Sequence, residues 1–295
     1  MAELTIPETP PVLTANPVPA QFRRCLHAAV FVGVWMAIGW LCHLDADSYL
    51  AAGVPLVIFF QLFVRKKPLV TLWIRDAEHF RLNAGGIILG LGLAMLPAVK
   101  LIRCCASASW PAHVPQIWWY AGCIFGAFGA SFCFGNFTKQ TWKDLGFCMG
   151  TGGVFGCLAM LLAFLGQLVE KHLHHVPLTF TGANVLNGLQ SFLLYVPVSF
   201  VLEEVVFRGA IDAHVFQPGD KGQWWTAFFV STLWGWWHLP ITGATGIVRL
   251  LALVVLLPGV HIAIGVFLSL GWRRSGNLAV PATVHAFVDA VRNML

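Results

Sequence analysis

The chain alternates long apolar runs with short polar interruptions, and the runs have the length of membrane crossings. A helix needs about 20 mostly apolar residues to traverse the hydrocarbon of a bilayer. Such runs lie at about 25–44, 49–64, 84–101, 116–137, 145–169, 185–208, 224–239, 247–272 and 278–292. Those at 49–64 and 224–239 are short, so the count is roughly eight or nine, with one short run serving as a tilted or re-entrant partner. The pattern predicts an all-α polytopic membrane protein. Residues 1–21, rich in Pro, Thr and Ala, read as a flexible tail, because they lack the cationic start and apolar centre of a signal peptide. Between the second and third runs, Leu69, Trp73 and Phe80 fall among charges, which predicts a short interfacial helix over 68–80. Gly86-x-x-x-Gly90, Gly122-x-x-x-Gly126 and Gly152-x-x-x-Gly156 are ridges of small residues that let helices approach closely.

Composition supports the membrane reading and removes two alternatives. Of 295 residues 58% are hydrophobic and only 11% charged. A soluble domain carries about 25% charged residues, and disorder requires low hydrophobicity with high charge. A soluble enzyme and a disordered chain are both excluded. The formal charge is +5, but the placement of the cations says more than their sum. Arg23 and Arg24 precede the first run; Arg65, Lys66, Lys67, Arg75 and Arg81 follow the second. Lys139 and Lys143 follow the fourth, Lys221 the sixth, and Arg273 and Arg274 the eighth. Under the positive-inside rule this alternation puts the N-terminus and the even-numbered loops in the cytoplasm, with Lys100 and Arg103 as exceptions. In a bacterium the host bilayer would be the plasma membrane. Eight cysteines carry no CxxC pair and read as small packing residues.

The chemistry lies where polar groups interrupt the last runs. Glu203, Glu204 and Asp289 are acids placed inside apolar runs, with Arg208 close by and His238 and His285 in runs seven and nine. Facing lipid, three acids and an arginine would cost on the order of 10 kcal/mol, so they must face one another or water. Their levels agree. If run six continues as helix to about Phe216, Glu203 stands 13 residues before the turn and His238 stands 15 after it. Each is then roughly 20 Å from the same end, with His285 roughly 12 Å in and brought closer by tilt. Glu204 and Arg208 are i,i+4 neighbours, which lets the cation offset one carboxylate and leaves Glu203 freer. His285 and Asp289 share the same spacing, so the carboxylate can hold one ring nitrogen. A glutamate and two histidines so placed could activate water and stabilise an oxyanion, directly or through a metal ion. The HExxH zinc helix is absent.

Three motifs then appear in order. Glu203-Glu204-Val205-Val206-Phe207-Arg208 resembles the EExxxR motif of the CAAX-protease and bacteriocin-processing family, the type II CAAX prenyl endopeptidases among intramembrane proteases. Trp234-Gly235-Trp236-Trp237-His238 is similar to its FxxxH motif with Trp for Phe, and His285-Ala286-Phe287-Val288-Asp289 to HxxxN with Asp for Asn. The resemblance covers about 185–292. It implies 22–184 as N-terminal transmembrane helices and 185–292 as a four-helix catalytic core around a hydrated cavity. It further implies an intramembrane endopeptidase acting on a membrane-associated, C-terminally lipidated or unmodified, protein or peptide. Glu203 would activate water with His238, His285 and Asp289 would stabilise the oxyanion, and Glu204 and Arg208 would support the site. A divalent metal such as zinc, if present, would sit on Glu203, His238 and His285. A carboxylate cannot donate to an oxyanion as an amide can, so Asp289 reads here as the group that orients and charges His285.

Two other classes stand beside the protease. Some family members are assigned immunity roles, so a non-catalytic membrane protein that binds a peptide shares the motifs. A proton-coupled transporter would use the same ionisable residues as a relay, but a repeated half is not evident in the sequence. The partners expected are a membrane-associated substrate and lipid, with no nucleic acid. His261 matches no motif and reads as a packed histidine, and His172, His174 and His175 beside Glu170 read as a solvated loop.

Overall fold

A computed structural model describes residues 20–173 and 182–295. The predicted tail, up to residue 19, and the side chains of the 172–175 histidine cluster fall outside that description. The elements are helical throughout: α1 (Ala20–Leu41), α2 (Ala46–Phe59), α3 (Ala84–Ala106), α4 (Val114–Gly135) and α5 (Lys139–Cys148). They continue with α6 (Val154–Leu173), α7 (Gly182–Ser199), α8 (Ala213–Val215), α9 (Gln223–Trp237), α10 (Ile247–Ser275) and α11 (Ala279–Met294). Wider π-type turns extend α2 through Phe60–Val64, join α5 to α6 through Met149–Gly153, and precede α8 over Val205–Asp212.

Among the described residues six helical stretches are long and apolar enough to cross a membrane: Ala20–Leu41, Ala46–Val64, Ala84–Ala106, Val114–Gly135, Lys139–Leu162 and Ile247–Ser275. The chain is a multi-pass integral membrane protein. The outward faces fit that solvent. Leu26, Val30 and Val34 on α1 are exposed, as are Ile88, Leu91, Met95 and Ile102 on α3. The three remaining long helices, α7, α9 and α11, have 18, 15 and 16 residues, and the polar groups lie on α11 and just beyond the C-terminal ends of α7 and α9. They are packed against the others: α9 on α10, α11 on α7 and α10, and α7 on α4. Gly126 permits the last contact, since a Cβ there would fall on the Pro197 carbonyl.

Two sequence expectations require correction. The sixth run is not one continuous helix. Pro197 has no N–H to give the preceding turn, and the helix ends two residues later at Ser199. Phe200 and Val201 close tight turns, donating to the carbonyls of Pro197 and Val198 at 3.1 and 3.0 Å. Helix resumes at Glu203, and the following segment is wound wide through Asp212.

The second correction concerns 68–80, which is not an interfacial helix. It forms one 3-10 turn at Leu69–Leu72 and then an irregular strap driven into the protein. The Trp73 indole N–H donates to the Phe200 carbonyl at the helix break (2.9 Å), and Ile74 forms an isolated β-bridge with Asn277. The Leu72 carbonyl lies so close to Gly209 that a Cβ there would overlap it. Burial of Thr71 and Leu72 outweighs the amphipathic pattern that would have laid the segment on the bilayer. One end of the bundle gathers ion pairs: Arg24 with Asp220, Arg273 with Asp212 at 2.6 Å, and Arg274 with Asp144 at 3.1 Å.

Candidate active site

The helix break positions the first acid. Glu203 begins the resumed helix, its side chain 15% exposed, while Glu204, one residue on, points the other way and is fully buried. His238 follows the last turn of α9. Its Nδ1 lies 2.9 Å from the Trp234 carbonyl, so that nitrogen carries the proton and Nε2 is left as an acceptor in the neutral ring. His238 Nε2 stands 3.9 Å from Glu203 Oε2, and His285 Nε2 of α11 stands 3.7 Å from the same oxygen. His285 also has Nε2 3.4 Å from Asp289 Oδ2 and Nδ1 3.0 Å from Glu204 Oε1. Arg208 Nε lies 3.4 Å from Glu204 Oε2. All six residues singled out in the sequence therefore form one connected group.

The geometry changes the roles of two of them. Glu204 is a partner of His285 as well as of Arg208, so His285 has a carboxylate at each ring nitrogen. The Glu204 contacts are charge contacts rather than aligned hydrogen bonds. Both of its oxygens, Nε and Nη1 of Arg208, and Nδ1 of His285 are buried without a partner in hydrogen-bonding geometry. Asp289 is shared: its Oδ1 takes an ion pair from Arg292 Nη1 at 3.0 Å, and Arg292 Nη2 donates to the Tyr195 hydroxyl at 3.1 Å.

Sequence reasoning missed four participants. The indole N–H of Trp234, the residue that stands where the second motif has Phe, donates to Glu203 Oε2 at 3.0 Å. Arg208 holds that indole from above, its guanidinium carbon 4.7 Å from the ring centroid, a cation–π contact. His261 is packed, as its lack of a motif predicted, but against the site itself. Its ring centroid is 4.4 Å from His238 and 4.5 Å from Trp234, and its Nδ1 lies 2.7 Å from the Leu257 carbonyl. The level arithmetic could have found it. Counting back 14 residues from Ser275 places His261 roughly 20 Å from the same end as His238. Arg292 and Tyr195 lie outside any motif and had no such signal.

These groups face a cavity of about 430 Å³ lined by Glu203, His238, His261, His285, Asp289 and Arg292, among apolar side chains. Leu50 of α2, Trp119 of α4 and Met160 of α6 complete its wall, so the cavity is not enclosed by the last four helices alone. Among the described residues no group of three or more His, Cys, Asp or Glu side chains is disposed to hold a metal ion. Glu203 Oε2 is already occupied by the hydrogen bond it accepts from the Trp234 indole. Glu203, His238 and His285 do not fit a metal centre as arranged. What they do provide is a carboxylate, a neutral imidazole acceptor and a second imidazole flanked by carboxylates.

No match was found among curated proteins or among solved structures. Residues 185–291 match the family model described as type II CAAX prenyl endopeptidase Rce1-like. The matched stretch contains the break after α7, α9, α10 and nearly all of α11, and with them every residue of the connected group. Over residues 185–291 the chain thus carries a domain of the Rce1-like, type II CAAX prenyl endopeptidase family of intramembrane proteases.

Proposed function

We propose that the protein is an intramembrane endopeptidase that hydrolyses a peptide bond in a membrane-associated protein or peptide with water activated by Glu203. The observation that carries this reading is a single carboxylate oxygen, Glu203 Oε2, faced by two imidazoles and an indole N–H at the wall of a cavity within the helices. Trp234 and His285 occupy the Oε2 side of the carboxylate. Glu203 Oε1 is the oxygen left to take a proton from water. His238 Nε2, an acceptor because Nδ1–H is committed to the Trp234 carbonyl, orients that water. The oxygen of the water bonds to the scissile carbonyl carbon, and the carbonyl becomes an oxyanion. His285, with a carboxylate at each nitrogen, satisfies both by carrying both protons; its Nδ1–H is turned to buried Glu204, and its Nε2–H stabilises developing negative charge. Collapse breaks the C–N bond, and the proton held by Glu203 passes to the departing amine. Asp289 and Arg292 hold His285 in place rather than touch the substrate's oxygen. Orientation follows from the ion-pair end of the bundle. Its cations support a reading in which that end, and the start of α1, face the cytoplasm.

The test is cleavage of a fluorogenic peptide with a prenylated cysteine three residues from its C-terminus by the purified protein in lipid nanodiscs. Glu203→Gln should lower the rate about 10³-fold or more and leave the melting temperature within a degree or two. Full activity in that variant would end the proposal. Peptide binding without cleavage by the unaltered protein, equal in all variants, would favour the immunity or binding role.

A further inference from the structure

A second cavity is larger than the one at Glu203. A volume of about 720 Å³ opens where α2 ends, lined among others by Arg65, Lys67, Thr71, Arg75, Glu78 and His214. The last turns of α2 expose Phe59, Leu62 and Phe63, the side chains expected to meet hydrocarbon. The cations begin at the next residue but one. Lys66 takes the left-handed backbone (φ 56°), a sharp turn that lets both Arg65 and Lys67 line the cavity. The cavity therefore stands at the boundary between apolar membrane and polar loop.

Its charges are unequally matched. Asp76 is ion-paired to Arg75 at 2.9 Å, and Asp212, whose field reaches Arg65, is held by Arg273 at 2.6 Å. Arg65 donates to Gln61 Oε1 at 2.7 Å and to the Gly209 carbonyl at 2.6 Å, both neutral. Among the described residues neither Arg65 nor Lys67 has an ion-pair partner, and Glu78 is the one carboxylate of the lining outside a pair. Burial pulls the Arg65 guanidinium down to about 10, which leaves it charged but poorly solvated. His214, pulled down to about 4 mainly by burial, is neutral there. A dehydrated, unpaired guanidinium beside an ammonium calls for a compact anion with several acceptor oxygens.

We infer that this cavity is a phosphate-binding site at the membrane surface, in which Arg65 and Lys67, with Arg75 at the rim, hold a phosphate group. The group can reach it on an anionic phospholipid, with the acyl chains against Phe59, Leu62 and Phe63, or as free phosphate. Because Arg65 also holds the Gly209 carbonyl, the anion lies one guanidinium away from the segment that carries Glu204 and Arg208. The inference goes beyond the peptidase reading and can fail independently, since its readout is binding.

The experiment titrates the full chain in detergent with dioctanoyl phosphatidic acid, dioctanoyl phosphatidylcholine and inorganic phosphate, following melting temperature and tryptophan fluorescence. Saturable stabilisation by phosphatidic acid but not by phosphatidylcholine is expected, with affinity about tenfold lower in Lys67→Gln. The Lys67 ammonium has no described partner, so that variant should fold normally; Arg65→Gln should lose the response altogether. An equal response to inorganic phosphate assigns the site to the free anion, and a response to lipid alone assigns it to a headgroup. No response to either anion, or a Lys67→Gln response equal to that of the unaltered chain, overturns the inference.

Discussion

The helical segment from Glu203 to Asp212 carries an acid–arginine pair at each end, and the two pairs are built differently. At the ion-pair end of the bundle Asp212 receives two aligned hydrogen bonds from Arg273, at 2.9 and 2.6 Å, and its side chain is fully buried. At the cavity end Glu204 and Arg208 are also fully buried, yet they meet at 3.4 Å with both carboxylate oxygens lacking an aligned donor. A fork-on-carboxylate pair of the first kind fixes geometry. In the second, Glu204 divides its charge between Arg208 and His285, and Arg208 spends one N–H on the Gly265 carbonyl and its face on Trp234. One pair fastens two helices together; the other distributes charge among the groups that surround Glu203.

The comparison predicts opposite balances of stability and activity. The largest effect on stability is expected for Asp212→Ala. It strands the nearly buried Arg273 and should cost about 3–5 kcal/mol, read as a large drop in melting temperature, while the molecules that remain folded keep their rate per mole. Glu204→Gln retains an acceptor for Arg208 and should cost less, about 1–3 kcal/mol. It should lower kcat disproportionately, because His285 loses one of its carboxylates. If Glu204→Gln affects stability alone, the contrast between the two ends fails.

Gly209→Ala sharpens the comparison from the middle of the segment. The added methyl overlaps the Leu72 carbonyl and should destabilise by about 1–3 kcal/mol, with little change in KM among folded molecules. The smallest effect on the fold belongs to Trp234→Phe. The ring stack survives, but the hydrogen bond to Glu203 Oε2 is lost, so kcat should fall about 10- to 100-fold with KM and melting temperature nearly constant. Unchanged kcat would remove Trp234 from the site.

How much of this was legible depends on whether local sequence or distant contact decided it. Apolar length located α1, α3, α4 and α10 within a few residues, because the bilayer imposes one length on any lone span. The meeting of Glu203, His238 and His285 was accessible to arithmetic, since antiparallel helices of constant rise bring equal counts to equal depth. The break at Phe200–Leu202 was not, because a proline within a helix more often bends it than ends it, and the bare Phe200 carbonyl is satisfied by Trp73, far away in the chain. The strap at 68–80 was misread for the same reason. Its apolar and charged residues suit a membrane surface as well as a cleft, and only Gly209 and Asn277 make the cleft available. Arg292 and Tyr195 reach Asp289 by side-chain length alone, which leaves no periodic trace.

The strap has a consequence for how the polypeptide can be divided. The stretch that matches the protease family begins at residue 185, but two of its buried main-chain oxygens, those of Phe200 and Gly209, are satisfied by Trp73 and Arg65. Excising the first half would leave both oxygens bare in greasy surroundings, beside the turn that aims Glu203. The opening helices are thus not an anchor appended to a self-sufficient hydrolase. They complete its backbone, and the two halves are expected to be made, inserted and degraded as one body.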